Sequence, residues 1–501
     1  MATLTKRWRL IALLTTLLLI AAACGDSGSS ETTAPTGDSD TTTPAAEAET
    51  TSTAAATTAA PSEGGEAVEV RWFIGIGAGG QPEQRDAQLA VVDAFNASQD
   101  RIVLVPEIVE NDVAYDTLAT QMASGNPPDI IGPVGRDGAN SFAGQYLALD
   151  DLIASTGLDL ARWPSGTVEN FREDDGSLYG LPFASFPSFV YYNRDLFDEA
   201  GLPYPPQEYG ADGTAVYGEG TEYEGVWDFA KVEEIGKILA VDANGVDATD
   251  PSFDREQTIQ WGFVWQWTDR LFQQGSFWGA GYPIQDDGTA AIPQAWKDEW
   301  AWYHDAVWGS GFAPSQTQLD SELLAGNAFK SGNVAMAASH LWYTCCIRDD
   351  AAGIAGDFYD LAVMPSNNGA VTANMHADTF RILAKTDHPD EAFEVLTYLL
   401  DDAALDLLTA YGAAPADPAL TDAFFDSLEE RYPQGVNWQV ALESAAYADS
   451  PSHELFVPGW DAYKLRLDDL KSAILTNPDL DLEGEIATVE AELSTIFAEN
   501  G

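Results

Sequence analysis

Several short stretches of this 501-residue chain carry side chains of the kind that do chemistry. His376 and Asp378 stand two apart, a spacing open to a His–carboxylate dyad or to two metal donors. No third donor is spaced beside them, so neither a metal nor a catalytic role is expected there. Cys345 and Cys346 are adjacent. They are either two free apolar side chains or a vicinal disulfide, which an exported setting permits. His340 is the base nearest them in sequence, too little to mark an activated nucleophile. Arg136 and Asp137 are adjacent and can link to each other in a local ion pair. Residues 242–254 are rich in oxygen donors, but Gly245 comes too early for an EF-hand and no Glu closes the loop, which leaves a surface turn. Gly77, Gly79 and Gly80 fit neither a dinucleotide nor a phosphate loop. Among so many acids, carboxylates pair by chance, so the opposed acids of a glycoside hydrolase are not singled out. No enzyme activity and no cofactor is expected.

The aromatic residues are more telling. Eight of the fifteen tryptophans fall between Trp261 and Trp308. Trp296, Trp300, Tyr303 and Val307 recur at helical spacing and read as core. Trp261, Trp265 and Trp267 do not, and they stand beside Gln266, Asp269 and Arg270. Flat apolar faces with a few polar groups around them suit the face and hydroxyls of a pyranose. Trp267 and Asp269 are therefore candidate ligand contacts, with core burial as the competing reading for the ring.

These groups need elements to hold them. Val68, Val70, Trp72 and Ile74 alternate as a first strand, and Pro82 opens a helix with Leu89, Val92 and Phe95 on one face. Residues 102–109 read as a second strand, so the order is strand–helix–strand, as in a parallel α/β lobe. Ligands of such sheets sit at the carboxyl ends of the strands. This places the Gly-rich loop 75–80, with Gln81 just after it, at a candidate cleft. Tyr115, Leu118 and Met122 make another helical face, which Gly125 can end. Residues 389–400 read as a strongly amphipathic helix and 486–497 as a closing one.

The ends and the charge bound the setting. Lys6, Arg7 and Arg9 precede an apolar run from Leu10 to Ile20, too short to span comfortably, so residues 1–23 read as a signal peptide. Ala21-Ala22-Ala23-Cys24 resembles a lipobox, with Ala21 where Leu is usual. Acylation of Cys24 is expected, and an ordinary secretory cut near the same point is the alternative. Residues 24–66 are Ser, Thr, Ala, Glu and Pro, a disordered tether. The remainder exceeds one ordinary domain and suggests two lobes. With 23 basic against 80 acidic residues the net charge is −57, which excludes nucleic acid and anionic lipid as partners. A solvated acidic surface explains that charge; a cationic ligand is the competing reading.

Three landmarks in order carry a family resemblance: Pro127-Pro128-Asp129-Ile130-Ile131, the aromatic run 179–193, and Phe329-Lys-Ser-Gly-Asn-Val-Ala-Met336. Together they resemble the bacterial extracellular solute-binding proteins of the carbohydrate type. The resemblance implies an α/β fold, periplasmic-binding-protein-like of type II, with two lobes, a three-segment hinge and an interlobe ligand cleft. It implies lobes of 67–184 with 366–412 and of 185–365 with 413–501, and capture of a mono- or oligosaccharide for an ABC permease. It also implies an exported monomer, lipid-anchored to the outer face of the cytoplasmic membrane through Cys24. A polyamine, peptide or other cationic solute in the same fold is the alternative. By position in the family pattern, Phe186 is the cleft floor and Trp342 the stacking aromatic. Trp460 is a late aromatic against the ligand, and Gln81, Arg136, Asp137, His376 and Asp378 are polar contacts.

Overall fold

The computed structural model describes residues 67–501 apart from 170, 174–175, 269, 325–326 and 349–355. The signal stretch 1–23, Cys24, the tether and Asp269 lie outside the described residues. Among the described residues no helix is long and apolar enough to cross a membrane.

The strands are β1 (Val68–Ile74), β2 (Ile102–Ile108), β3 (Ile130–Val134), β4 (Leu181–Asn193), β5 (Val216–Tyr217) and β6 (Gly225–Val226). They continue with β7 (Val241–Asp242), β8 (Thr258–Trp265), β9 (Val334–His340), β10 (Tyr359–Ala362), β11 (Met375–Ile382) and β12 (Ala414–Pro415). Ten of them join in one mixed sheet with the order β2-β1-β3-β11-β4-β9-β8-β7, while β10 and β12 also pair with β4. Strand β1 is parallel to β2 and β3, as the strand–helix–strand order predicts.

Strand β4 changes partners at its middle. Its first half, from Leu181 to Pro187, pairs with β11, and Ala184 and Ser185 also pair with β12. Its second half pairs with β9 from Ser188 to Tyr192 and with β10 from Val190 to Asn193. Pro182 and Pro187 cannot donate to a ladder, and Pro187 stands at this change. The 13-residue strand is buried along nearly its whole length. Both of its edges are paired, so its backbone polar groups are met by neighbouring strands and not by solvent.

Helices cover both faces, so the strand ends read as apolar runs and not as clean alternation. Trp72, Phe73 and Ile74 are consecutive and all buried. The first helix, Arg85–Ser98, buries Gln88, Val91, Val92 and Phe95, while Leu89 is 37% exposed. Val92 and Phe95 hold the expected face, and Gln88 is buried beside it in place of Leu89. The Gln88 amide donates to the Gly79 carbonyl at 2.8 Å and the Tyr411 hydroxyl at 3.2 Å, pinning the loop before the helix. The helix Asn111–Ser124 ends where Gly125 takes φ 78°, a conformation glycine adopts without a Cβ penalty. The helices Pro389–Leu400 and Leu482–Asn500 match the periodic stretches read from the sequence. In residues 242–254, Asp242 accepts from the amides of Asn244, Val246 and Asp254 at 2.8–3.0 Å, a self-satisfied turn. Cys345 and Cys346 form a disulfide.

Trp296, Trp300, Tyr303 and Val307 are buried on the helix Gln294–Trp308, as their spacing predicts. That helix also buries Glu299 completely. One oxygen accepts from the Trp265 indole at 3.0 Å, and the other has no hydrogen-bond partner. Burial pushes the Glu299 carboxyl well above the usual carboxylate range. Over the interval between its unfolded pKa, about 4.3, and its raised folded value, the native state holds the proton that the unfolded chain has lost. Its contribution to stability is therefore full at low pH and falls as pH rises through that interval. Glu299→Gln keeps an acceptor for Trp265 and removes the titration. Thermal melts should show the variant more stable than the parent near neutrality by about 1–3 kcal/mol, with the difference shrinking towards about pH 4. A variant less stable than the parent near neutrality, with the deficit shrinking towards about pH 4, would show that Glu299 is held ionised.

Candidate functional site

The register of β4 builds a polar cluster at its partner change. Residues two apart on a strand share a face, so Ala184, Phe186 and Ser188 point the same way. Their cross-strand partners are Asp378, His376 and His340. The end of β11 and the end of β9 therefore meet over one face of β4. The rings of His340 and His376 lie 4.6 Å apart. Just beyond β9, in the 3-10 turn Leu341–Cys345, Trp342 stacks on His340 at 4.0 Å and meets His376 at 4.8 Å and Phe186 at 5.3 Å. Trp342 is half-buried and its three neighbours are buried.

A segment distant in sequence completes the cluster. The Asp449 carboxylate accepts from the backbone amides of Met375 at 3.2 Å and His453 at 2.6 Å and from His453 Nδ1 at 2.8 Å. Glu454 Oε1 accepts from His376 Nδ1 at 2.9 Å. The two Nε2 atoms of His376 and His453 then face each other at 3.1 Å. Asn374 donates to the Gln273 carbonyl at 2.8 Å and to Ser276 Oγ at 2.6 Å, and its oxygen meets His340 Nε2 at 2.8 Å.

The electrostatics follow from burial. Burial raises Asp378, and the Glu454 carboxylate beside it raises it further, to about 7. Burial alone would also raise Glu454, but the His376 cation outweighs it and holds Glu454 at about 2. His376 loses from burial and gains more from Glu454, so its pKa is raised. Buried His340, next to His376, is held well below the ordinary histidine value and stays neutral. The cluster thus holds a His376–Glu454 ion pair in a dry setting, where a single charge would be costly.

A second group of contacts adjoins the cluster through Glu454. Asp137 meets Lys464 Nζ at 2.9 Å and Arg270 at 3.8 Å, and it accepts from the Trp460 indole through its carbonyl at 3.0 Å and its carboxylate at 3.2 Å. The Asp137 amide donates to Glu454 Oε1 at 3.3 Å, and Asn140 donates to the Glu454 carbonyl at 3.0 Å. Hollows of about 630 and 590 Å³ lie elsewhere, one beside Arg466 and Glu492, the other beside Phe95 and Tyr398.

Of the residues singled out in the sequence, Phe186, Trp342, His376 and Asp378 come together, with Asp137 and Trp460 above them. Asp137 takes its ion pairs from Lys464 and Arg270. Arg136 opens the short helix Arg136–Asn140. Gln81 donates to Asn111 at 3.0 Å, and Asn111 in turn ties the Gly75 and Gly77 carbonyls; these bonds lie in that loop and not in the cluster. Trp267 has φ 52° and packs against Tyr343 at 5.2 Å, apart from the Trp342 group. The sequence reading missed Gln273, Asp449, His453, Glu454 and Lys464. A signal was available in composition: the chain has only five histidines, and three of them converge here.

Residues 79–405 match the family model of bacterial extracellular solute-binding proteins. The chain is 25% identical over 317 residues to a putative binding protein of Brucella abortus, covering 62% of this chain and 67% of that protein. Three solved structures share the fold. An ABC substrate-binding protein of Listeria monocytogenes in complex with cycloalternan has a TM-score of 0.66 at 18% identity, over 86% of this chain and 98% of that one. Maltose-bound MalE3 of T. maritima has a TM-score of 0.63 at 17% identity, over 86% and 100%. UgpB of Mycobacterium tuberculosis in complex with glycerophosphocholine has a TM-score of 0.64 at 17% identity, over 87% and 99%.

Lys464 is the cation at the centre of the Asp137 contacts, and its side chain is 7% exposed. Replacing it in Lys464→Met leaves Asp137 with Arg270 at 3.8 Å and the Trp460 indole. Breaking one partner out of a buried pair costs about 3 kcal/mol, so chemical denaturation should show a loss of that order. A variant as stable as the parent would show that the Asp137–Lys464 pair carries no net stabilisation.

Proposed function

The chain belongs to the bacterial extracellular solute-binding protein family, and we propose that it captures a mono- or oligosaccharide between two lobes and delivers it to an ABC permease. On this reading the lobes are 67–184 with 366–412 and 185–365 with 413–501. Three segments join them: β4, the stretch from β10 to β11, and residues 412–415. The protein binds its solute and leaves it chemically intact. Export through the signal 1–23 and acylation at Cys24 hold a monomer at the outer face of the cytoplasmic membrane, with the tether 24–66 as spacer.

One observation carries the carbohydrate assignment. The half-buried Trp342 ring lies where β4 changes partners, flanked by Phe186, His340 and His376, with Asn374 bonded to His340 and Gln273 to His376. An indole face suits the apolar face of a pyranose, and donors and acceptors around it suit hydroxyls. Closure on a sugar requires the ligand to touch both sides, so that the shut state binds it better than the open one. Asp137, His376 and Asp378 supply one side; Trp342 and Trp460 supply the other. A cationic solute is the second reading, favoured by the carboxylates Asp378, Asp449 and Glu454 among the aromatic rings.

Tryptophan fluorescence titration distinguishes them, with glycans, polyamines and glycerophosphocholine as separate arms. A glycan should shift the emission at saturation, and Trp342→Ala should weaken that ligand about 30-fold, which is about 2 kcal/mol. Saturable binding of a polyamine or of glycerophosphocholine alone would replace the carbohydrate assignment. Turnover of a chromogenic glycoside would overturn the reading as a binder.

A further inference from the structure

We propose that His376 and His453 share one proton between their Nε2 atoms, and that this proton is a pH-sensitive tie between β11 and the segment 449–454. The two nitrogens stand 3.1 Å apart, and both rings are buried. The tie itself follows from side-chain geometry. Its part in closing the molecule on a solute rests on the two-lobe reading above, in which His376 belongs to 366–412 and His453 to 413–501.

The outer nitrogens fix the proton count. Burial would raise both acids, but the histidines beside them outweigh it: Glu454 is held at about 2, and Asp449 below the usual carboxylate value. An ionised carboxylate only accepts, so Nδ1 of each ring carries a proton. His376 donates to Glu454 at 2.9 Å, and His453 donates to Asp449 at 2.8 Å. The facing Nε2 atoms then hold no proton, one or two. With none, two lone pairs oppose each other. With two, two N–H groups do. With one, a charge-assisted N–H···N bond joins the rings. Gln273 Nε2 lies 3.4 Å from the same His376 nitrogen, but the Gln273 oxygen accepts from the Arg270 amide. Gln273 therefore brings no acceptor that could stand in for His453.

The groups around the pair set its charge. Asp449 and Glu454 face it from the segment 449–454, Asp378 from β11, and neutral His340 from β9, 4.6 Å from the His376 ring. The helix Leu271–Ser276 offers Gln273 and Phe272, neither titratable. Asp137 touches the group through its amide on Glu454, and Lys464 and Arg270 are paired with Asp137. Two ionised acids favour the first protonation of the pair, and a second cation so close to the first makes the next one costly. Near the ordinary histidine value, about 6.5, the folded pair therefore holds one proton. Below that pH the unfolded chain binds more protons than the pair does, and above it fewer. The stability that the tie contributes is greatest near that pH and falls on both sides. Asp378 also titrates in this range, at about 7.

The test is nuclear magnetic resonance of the full chain, labelled with heavy nitrogen at its five histidines. Near about pH 6.5, one strongly deshielded proton correlated with two imidazole nitrogens is expected. The two rings should titrate as a pair in two separate steps. His376→Gln and His453→Gln should each remove that proton, whereas Asp378→Asn should leave it and the two steps in place. The gap in thermal midpoint between the parent and either His variant should be widest near that pH and narrow on both sides. Two imidazoles that titrate independently, with no proton in common, overturn the proposal. So does a gap that changes in one direction only across the range. Should the His variants fail to fold, the labelled parent alone decides. Small-angle scattering of the parent then separates the tie from the two-lobe reading. A radius of gyration that grows on both sides of the optimum supports a tie that closes the lobes. A shared proton with a constant radius leaves the tie standing and counts against the lobes.

Discussion

A strand of thirteen residues with both edges paired has little freedom to move as a piece, and β4 is such a strand. Its backbone groups are claimed by β11 and β12 before Pro187 and by β9 and β10 after it. The ladder cannot slip by one residue without turning every buried side chain to the other face. The partner change is therefore a fixed place in the molecule. Whatever β11 and β9 carry at their facing ends is delivered there in a set register: His376 opposite Phe186 and His340 opposite Ser188. The polar cluster is a consequence of that ladder. Its composition belongs to the sequence, but its convergence belongs to the pairing.

The charge balance sharpens the same point. A chain with 23 cations and 80 acids has few positive side chains to place, yet Lys464 and Arg270 are both spent on Asp137. Exposed pairs of this kind are worth little, whereas partly buried ones are expensive to break. The pairing therefore holds the loop after β3 against the helix Trp460–Thr476 with a force that the acidic surface elsewhere cannot supply. It also adjoins the His376–Glu454 pair, in which the His376 cation keeps Glu454 ionised while burial and the Glu454 charge push Asp378 up to about 7.

What was legible in the sequence was what is local. Helical spacing found Trp296, Trp300, Tyr303 and Val307, and Pro389 and Gly125 marked a helix start and a helix end. The strand–helix–strand order gave the parallel start of the sheet, and the three motif landmarks gave the family. The failures have physical causes. Leu89 fits an apolar period as well as Val91 does, and the burial of a polar Gln88, bonded to the Gly79 carbonyl and the Tyr411 hydroxyl, has no sign in an apolar pattern. Aromatic clustering pointed to Trp267 beside Trp265, and tertiary packing sets Trp267 against Tyr343, a neighbour that no local spacing announces. The donors around His376 escaped because they lie 77 and 78 residues away in sequence. The segment that holds them is shaped by Asp449 and not by a periodic element that a pattern could reveal.

On the proposed carbohydrate reading, a solute that comes between Trp342 and Trp460 meets polar groups already bonded to one another. The bonds of Asp137, Glu454, Asn374 and Gln273 are made within the chain, so such a ligand would replace some of them and not simply add its own. Only the difference between the two sets appears as affinity. On that reading a solute that reaches one side alone breaks such bonds without replacing them, whereas one that spans from Trp342 to Trp460 can replace both. Specificity would then lie less in the number of polar groups than in their spacing, since a ligand of the wrong length leaves a buried acid or imidazole unpaired at a cost of about 1–3 kcal/mol for each such group.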